Sequence, residues 1–198
     1  METHKDYIGS KLGMWLFLLS EILLFGGLFI LYSMYRYKHP VDFHLAAWEL
    51  SRPLGTLNTL ILLTSSLTMA FSIASLRRGD YRISKLFIIA TIFLGFLFLG
   101  IKTIEWGAKI EHGIYPNSPR LLGRSKGEIL FFGLYYVMTG LHGLHVLVGV
   151  AVLSAMLVLL LKAKIDQTHF NALENSGLYW HLVDIVWIFL FPLFYLIT

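Results

Sequence analysis

Seven ionisable side chains stand in stretches that are otherwise apolar: Glu21, Lys102, Glu105, His142, His145, His181 and Asp184. An ionisable group at membrane depth is costly unless it is paired or faces protein, so each is a candidate for a role. Glu21 lies in Trp15-Leu16-Phe17-Leu18-Leu19-Ser20-Glu21-Ile22-Leu23-Leu24-Phe25 with no cation in its own segment. Low dielectric disfavours a bare charge, which leaves two roles: a neutral, hydrogen-bonded acid, or a proton relay. Lys102 and Glu105 are three residues apart, which puts them on one helix face as a pair. His142 and His145 share the same spacing in Thr139-Gly140-Leu141-His142-Gly143-Leu144-His145-Val146. Two imidazoles on one face could offer two nitrogens to a metal, yet two histidines make an incomplete site. Gly140, Gly143 and Gly149 beside them read more simply as close helix packing, with the imidazoles hydrogen-bonded across the seam. In the last apolar run, His181 and Asp184 fall one turn apart, so the carboxylate could orient the imidazole, for proton movement or for mutual satisfaction alone. Trp180, Tyr179 and the upstream Trp48 read as interfacial belt residues.

The elements that position these groups follow from composition. The 198 residues are 57% hydrophobic and 14% charged, far from the balance of a water-soluble domain. A bilayer core of about 30 Å needs about 20 mostly apolar residues per helix. Five stretches qualify: Leu12 to Tyr35, Leu54 to Leu76, Leu86 to Trp106, Ile129 to Leu161 and Leu178 to Ile197. They are continuous rather than alternating, which points to helices and not to a barrel. The expected fold is all-α, an integral membrane bundle of five transmembrane helices forming one domain over residues 1–198. The fourth run is too long for one perpendicular crossing and must tilt or extend beyond the headgroups. The polar start, Met1 to Lys11, leads into a run longer than a signal-peptide core, so the first span is expected to stay as an anchor.

Basic residues in short loops set orientation. The loop Arg77-Arg78-Gly79-Asp80-Tyr81-Arg82, followed by Lys85, carries four of them and is expected to face the cytoplasm, with the N-terminus inside and the C-terminus outside. The loop from Gly107 to Gly127 opposes this with four more, and the totals of eight inside and seven outside hardly discriminate.

With no cysteine, disulfides, iron–sulfur ligation and thiolate metal sites are excluded. There is no glycine-rich phosphate loop, HExxH or GxSxG motif, and no basic aromatic surface for nucleic acid. No catalytic residue, bound cofactor or metal is assigned to this chain.

From end to end the chain resembles subunit III of haem-copper oxygen reductases, the cytochrome c and quinol oxidases. The resemblance is carried by Gly13-Met14-Trp15 through Ser20-Glu21 with Phe25; by Leu57-Asn58-Thr59, Leu62-Leu63 and Ser65-Ser66; by Gly95 and Glu105; by Thr139 to Val146 with Gly149; and by Tyr179 to Trp187. It implies a non-redox core subunit of a proton-pumping terminal oxidase. Haem and copper would reside in subunit I, which reduces oxygen to water. The partners implied are subunits I and II, structural phospholipids and, in some settings, a larger respiratory supercomplex, all in a bacterial cytoplasmic membrane. Glu21 would match the family's buried helix carboxyl, near surfaces associated with proton uptake and oxygen access. Seven-helix members carry two further helices ahead of the acid-bearing span, so the lipid cleft those helices wall is expected to be open or completed otherwise. Arg124-Ser125-Lys126-Gly127-Glu128 departs from the family's usual Asp-Gly-Tyr-Gly-like sequence, so no role is carried onto Glu128. Other readings are a related accessory subunit of a nitric oxide reductase, a stand-alone haem or metal membrane enzyme built on His142, His145 and His181, and a transporter using Glu21 with His181 and Asp184.

Overall fold

A computed structural model describes residues 7–166 and 170–196, so residues 1–6 of the polar start, Lys5 among them, and Ile197 at the expected end of the last span lie outside the described residues. The elements are α1 (Tyr7–Lys38), α2 (Pro40–Trp48), α3 (Arg52–Arg77), α4 (Tyr81–Glu111), α5 (Pro119–Leu122), α6 (Lys126–Leu161) and α7 (Asn171–Phe191). A π-helical turn, Pro192–Leu196, continues α7. Among the described residues five helices are long and apolar enough to cross a membrane, and there is no strand. At 1.5 Å per residue, the 36 residues of α6 make about 54 Å, well beyond a bilayer core.

Helices α3 and α4 form an antiparallel hairpin because only Arg78-Gly79-Asp80 separates them, and Gly79 takes φ 83° to make the turn. Hydroxyls lock their register: Thr68 meets Thr91 at 2.8 Å and Ser72 meets Ser84 at 3.1 Å. The core lies between α3, α4, α6 and α7. Helix α1 is peripheral, with 11% of its apolar window buried against 61% for the last helix. Leu16, Leu19, Ile22, Leu23 and Ile30 are left facing outward.

Helix α2 was not foreseen in the segment between the first two spans. Its signal is nevertheless present: Pro40 at the first turn, then Phe43, Ala46, Ala47 and Leu50 at the spacing of one helical face. Phe43 packs edge-on against Tyr32 of α1 and Phe131 of α6, with ring centroids 5.3 and 5.4 Å apart. Arg124 ties this layer to α6 by bonding Glu49 and, at 3.2 Å, Glu128. The Glu49 hydrogen bond holds the Arg124 pKa above its ordinary value, so the guanidinium stays charged. Glu128 also closes a capping box with Ser125 at the start of α6. Ser125→Ala is therefore expected to cost about 1 kcal/mol, read as an earlier thermal transition by circular dichroism.

Trp180 corrects the interfacial reading. It is fully buried, and Tyr179 nearly so, while Trp48 is exposed. The reason is supplied by two other helices: a Cβ on Gly95 or on Gly149 would come within 2.8 Å of the Trp180 ring. Two bare backbones on α4 and α6 make the slot, and the indole donates to Ser65 Oγ at 3.0 Å from its floor.

Candidate functional site

The spacing of His142 and His145 does not produce a pair. His145 turns toward α1, where its Nε2 lies 2.9 Å from Glu21 Oε2. Its Nδ1 lies 2.8 Å from the carbonyl of Leu141. A carbonyl only accepts, so Nδ1 carries the hydrogen, and the Glu21–His145 contact must then contain one proton, either on the carboxyl or on Nε2. Both side chains are mostly covered, at 13% and 15% exposure, yet stay near the outer surface of the bundle. Phe25 packs edge-on to the imidazole at 5.4 Å, and Tyr179 donates to the His145 carbonyl at 3.0 Å. The pair is thus fixed from α1, α6 and α7.

His142 turns inward. It is completely buried, stacks on Trp187 at 5.2 Å and meets Phe98 edge-on at 5.4 Å. Neither ring nitrogen has a hydrogen-bond partner among the described residues, contrary to the seam hydrogen bonds expected of it. His181 does not reach Asp184 either: its Nδ1 lies 2.6 Å from Ser66 Oγ on α3. Both carboxyl oxygens of Asp184 are buried without a hydrogen-bond partner among the described residues. No group of three or more metal-binding side chains occurs among the described residues.

Lys102 and Glu105 do meet, at 2.8 Å, and the structure adds two groups to them. Lys102 Nζ also donates to Tyr195 at 2.6 Å and to Tyr135 at 3.2 Å. Glu105 accepts from Tyr135 at 3.0 Å and from Tyr195 at 2.8 Å. The cation, the carboxylate and two phenols form a closed network with Lys102 6% and Glu105 3% exposed. Helix α4 supplies the charges, α6 one phenol and the π-helical turn the other.

A family model described as cytochrome c oxidase subunit III matches residues 2–198. The chain belongs to that family. Relatives of this subunit III include the cytochrome c oxidase subunit 3 of Thermostichus vulcanus, 32% identical with 98% of this chain and 90% of that protein covered. The probable quinol oxidase subunit 3 of Staphylococcus haemolyticus is 29% identical, with 98% and 92% covered. A heme-copper oxidase subunit I+III of Aeropyrum pernix is 32% identical over 98% of this chain, which spans only 23% of that longer protein.

For this subunit III, Tyr135, Tyr195 and Ser66 were missed as polar partners. Tyr135 and Tyr195 lie 30 and 90 residues from Glu105. The only signal available for them was the demand itself: a buried lysine and carboxylate need further hydrogen bonds, and a phenol in an apolar span is a natural donor.

Proposed function

We propose that this subunit III packs against subunit I of a bacterial oxidase, holds no redox centre itself, and supports proton uptake through Glu21 and His145. The carrying observation is the 2.9 Å contact between Glu21 Oε2 and His145 Nε2. With Nδ1–H committed to Leu141, a proton can pass from the Glu21 carboxyl to Nε2, forming carboxylate and imidazolium, and return, without either side chain moving. Both states keep the hydrogen bond, and the ion pair is compensated within itself. The outward apolar side chains of α1 surround this pair with a surface suited to lipid tails or to an apolar partner helix. The fused subunit I+III of Aeropyrum pernix supports contact with subunit I, since one polypeptide there carries both. We place the Arg77–Lys85 loop and the N-terminus on the cytoplasmic side of the bacterial membrane, on the basic residues of that loop.

Purification of the tagged chain in mild detergent tests the assignment: recovery with subunit I, and a colourless chain once separated, are expected. A chain that purifies alone carrying its own haem overturns it. Glu21→Gln keeps the side chain's shape and cannot carry a proton. It is expected to leave assembly intact and to slow proton uptake by about tenfold, equivalent to about 1.4 kcal/mol on the barrier. Uptake and turnover equal to the native oxidase would remove Glu21 from the path.

A further inference from the structure

A pocket of about 450 Å³ opens between the start of α1, the end of α3 and the start of α7. Its mouth is polar. Glu174 accepts from Arg77 and pairs with Lys11 at 3.4 Å, and Lys11 is half exposed. Both cations engage the one carboxylate, and the mouth carries a net charge of +1 from these three groups. Trp15, Ile73 and Gly177 form the walls, and His181 also lines the pocket. His181 lies seven residues beyond Glu174 along α7, about 10 Å deeper into the bundle.

The polar groups continue inward from there. His181 Nδ1 lies 2.6 Å from Ser66 Oγ. Asp184 follows His181 one turn further along α7, on the same side of that helix. Asp184 is 3% exposed, and neither of its oxygens has a hydrogen-bond partner among the described residues. Nor does it have a salt-bridge cation among them. An ionised carboxylate so placed is strongly disfavoured. A buried acid at the inner end of a chain of groups that each give and take a proton is a terminus for protons.

We propose that this pocket is a proton inlet separate from Glu21, through which a proton from the adjoining aqueous phase reaches Asp184 by way of His181 and Ser66. A ring nitrogen of His181 takes a proton from water in the pocket, and the other ring nitrogen releases one to Ser66 Oγ. Ser66, which shares no hydrogen bond with Asp184 at rest, turns from His181 and passes its own hydroxyl proton to that carboxylate. His181 and Ser66 each give up one proton as they gain one, nothing is oxidised or reduced, and Asp184, ionised only transiently after losing its proton by the reverse sequence, ends neutral. The return path is the same sequence reversed.

Infrared spectroscopy of the intact purified oxidase, moved from H₂O to D₂O, reads this exchange at the C=O stretch of a protonated carboxyl. A band is expected that shifts promptly in the native and Glu21→Gln oxidases and is missing in Asp184→Asn. In His181→Gln, which keeps a hydrogen-bonding side chain but no proton carrier, and in Ser66→Ala, the shift is expected to slow about tenfold. These two variants retain the native acid, so the test stands even where Asp184→Asn fails to assemble. Unchanged exchange in both relay variants overturns the proposal, as does a band that persists in Asp184→Asn. So does native exchange no faster than that of the α7 backbone amides, the result of a pocket filled by a lipid tail.

Discussion

Glu105→Gln is expected to destabilise the chain by about 3–5 kcal/mol, the scale for breaking a buried ion pair by removing one partner. The amide preserves shape and some hydrogen bonding, so the loss isolates the charge. Lys102 directs its donors at Glu105, Tyr195 and Tyr135, and with the carboxylate gone it faces two phenols that cannot neutralise it. Nor can water rescue it at 6% exposure. Thermal unfolding of the purified oxidase, followed by helix content and by retention of this subunit, measures the effect. Removing both charges is a different experiment. Lys102→Met with Glu105→Leu leaves no uncompensated ion, and Tyr135 and Tyr195, 3.3 Å apart, still bond each other. That double variant is expected to regain most of the loss, because apolar replacement of a buried pair is often neutral or stabilising. A double variant as unstable as the single one would mean that the network specifies the packing of α4 against α6 and the π-helical turn, beyond balancing its own charge.

The same network shows where sequence stops informing. The Lys102–Glu105 pair was legible because helical geometry alone brings residues three apart together. The five spans were legible because lipid demands continuous apolar runs. Glu21 was legible as a group needing a partner, but not its partner: His145 is 124 residues away. His142 and His145 have the spacing of a pair yet point to different neighbours, one to Trp187 and one to Glu21. His181 and Asp184 likewise share a spacing without a bond, and the imidazole Nδ1 meets Ser66 of α3 instead. Local periodicity states which groups can share a face. The neighbouring helices decide which of them bond.

Gly149→Val is expected to be strongly disruptive although it removes no polar group. A Cβ at Gly149 would lie 2.8 Å from one Trp180 ring carbon and 2.9 Å from another, closer than real Cβ atoms approach. The indole has little room to shift, because Gly95 of α4 also abuts its six-membered ring, where a Cβ would likewise lie 2.8 Å away. Its Nε1 hydrogen bond to Ser65 fixes the third direction. Overpacking of this kind costs typically about 1–3 kcal/mol and more where nothing can yield; the branched side chain should reach the upper end, seen as loss of this subunit from the purified oxidase. Trp180→Leu alone is expected to lose stability by leaving a void between two glycines. Combined with Gly149→Val it should recover part of the assembly, since the added methyls then occupy space the indole vacates. Failure of that combination would show that Trp180 matters through its bond to Ser65 of α3, whose next residue, Ser66, meets His181. The slot and the polar chain behind it would then be one structure, with the register of α7 against α3 set by the indole.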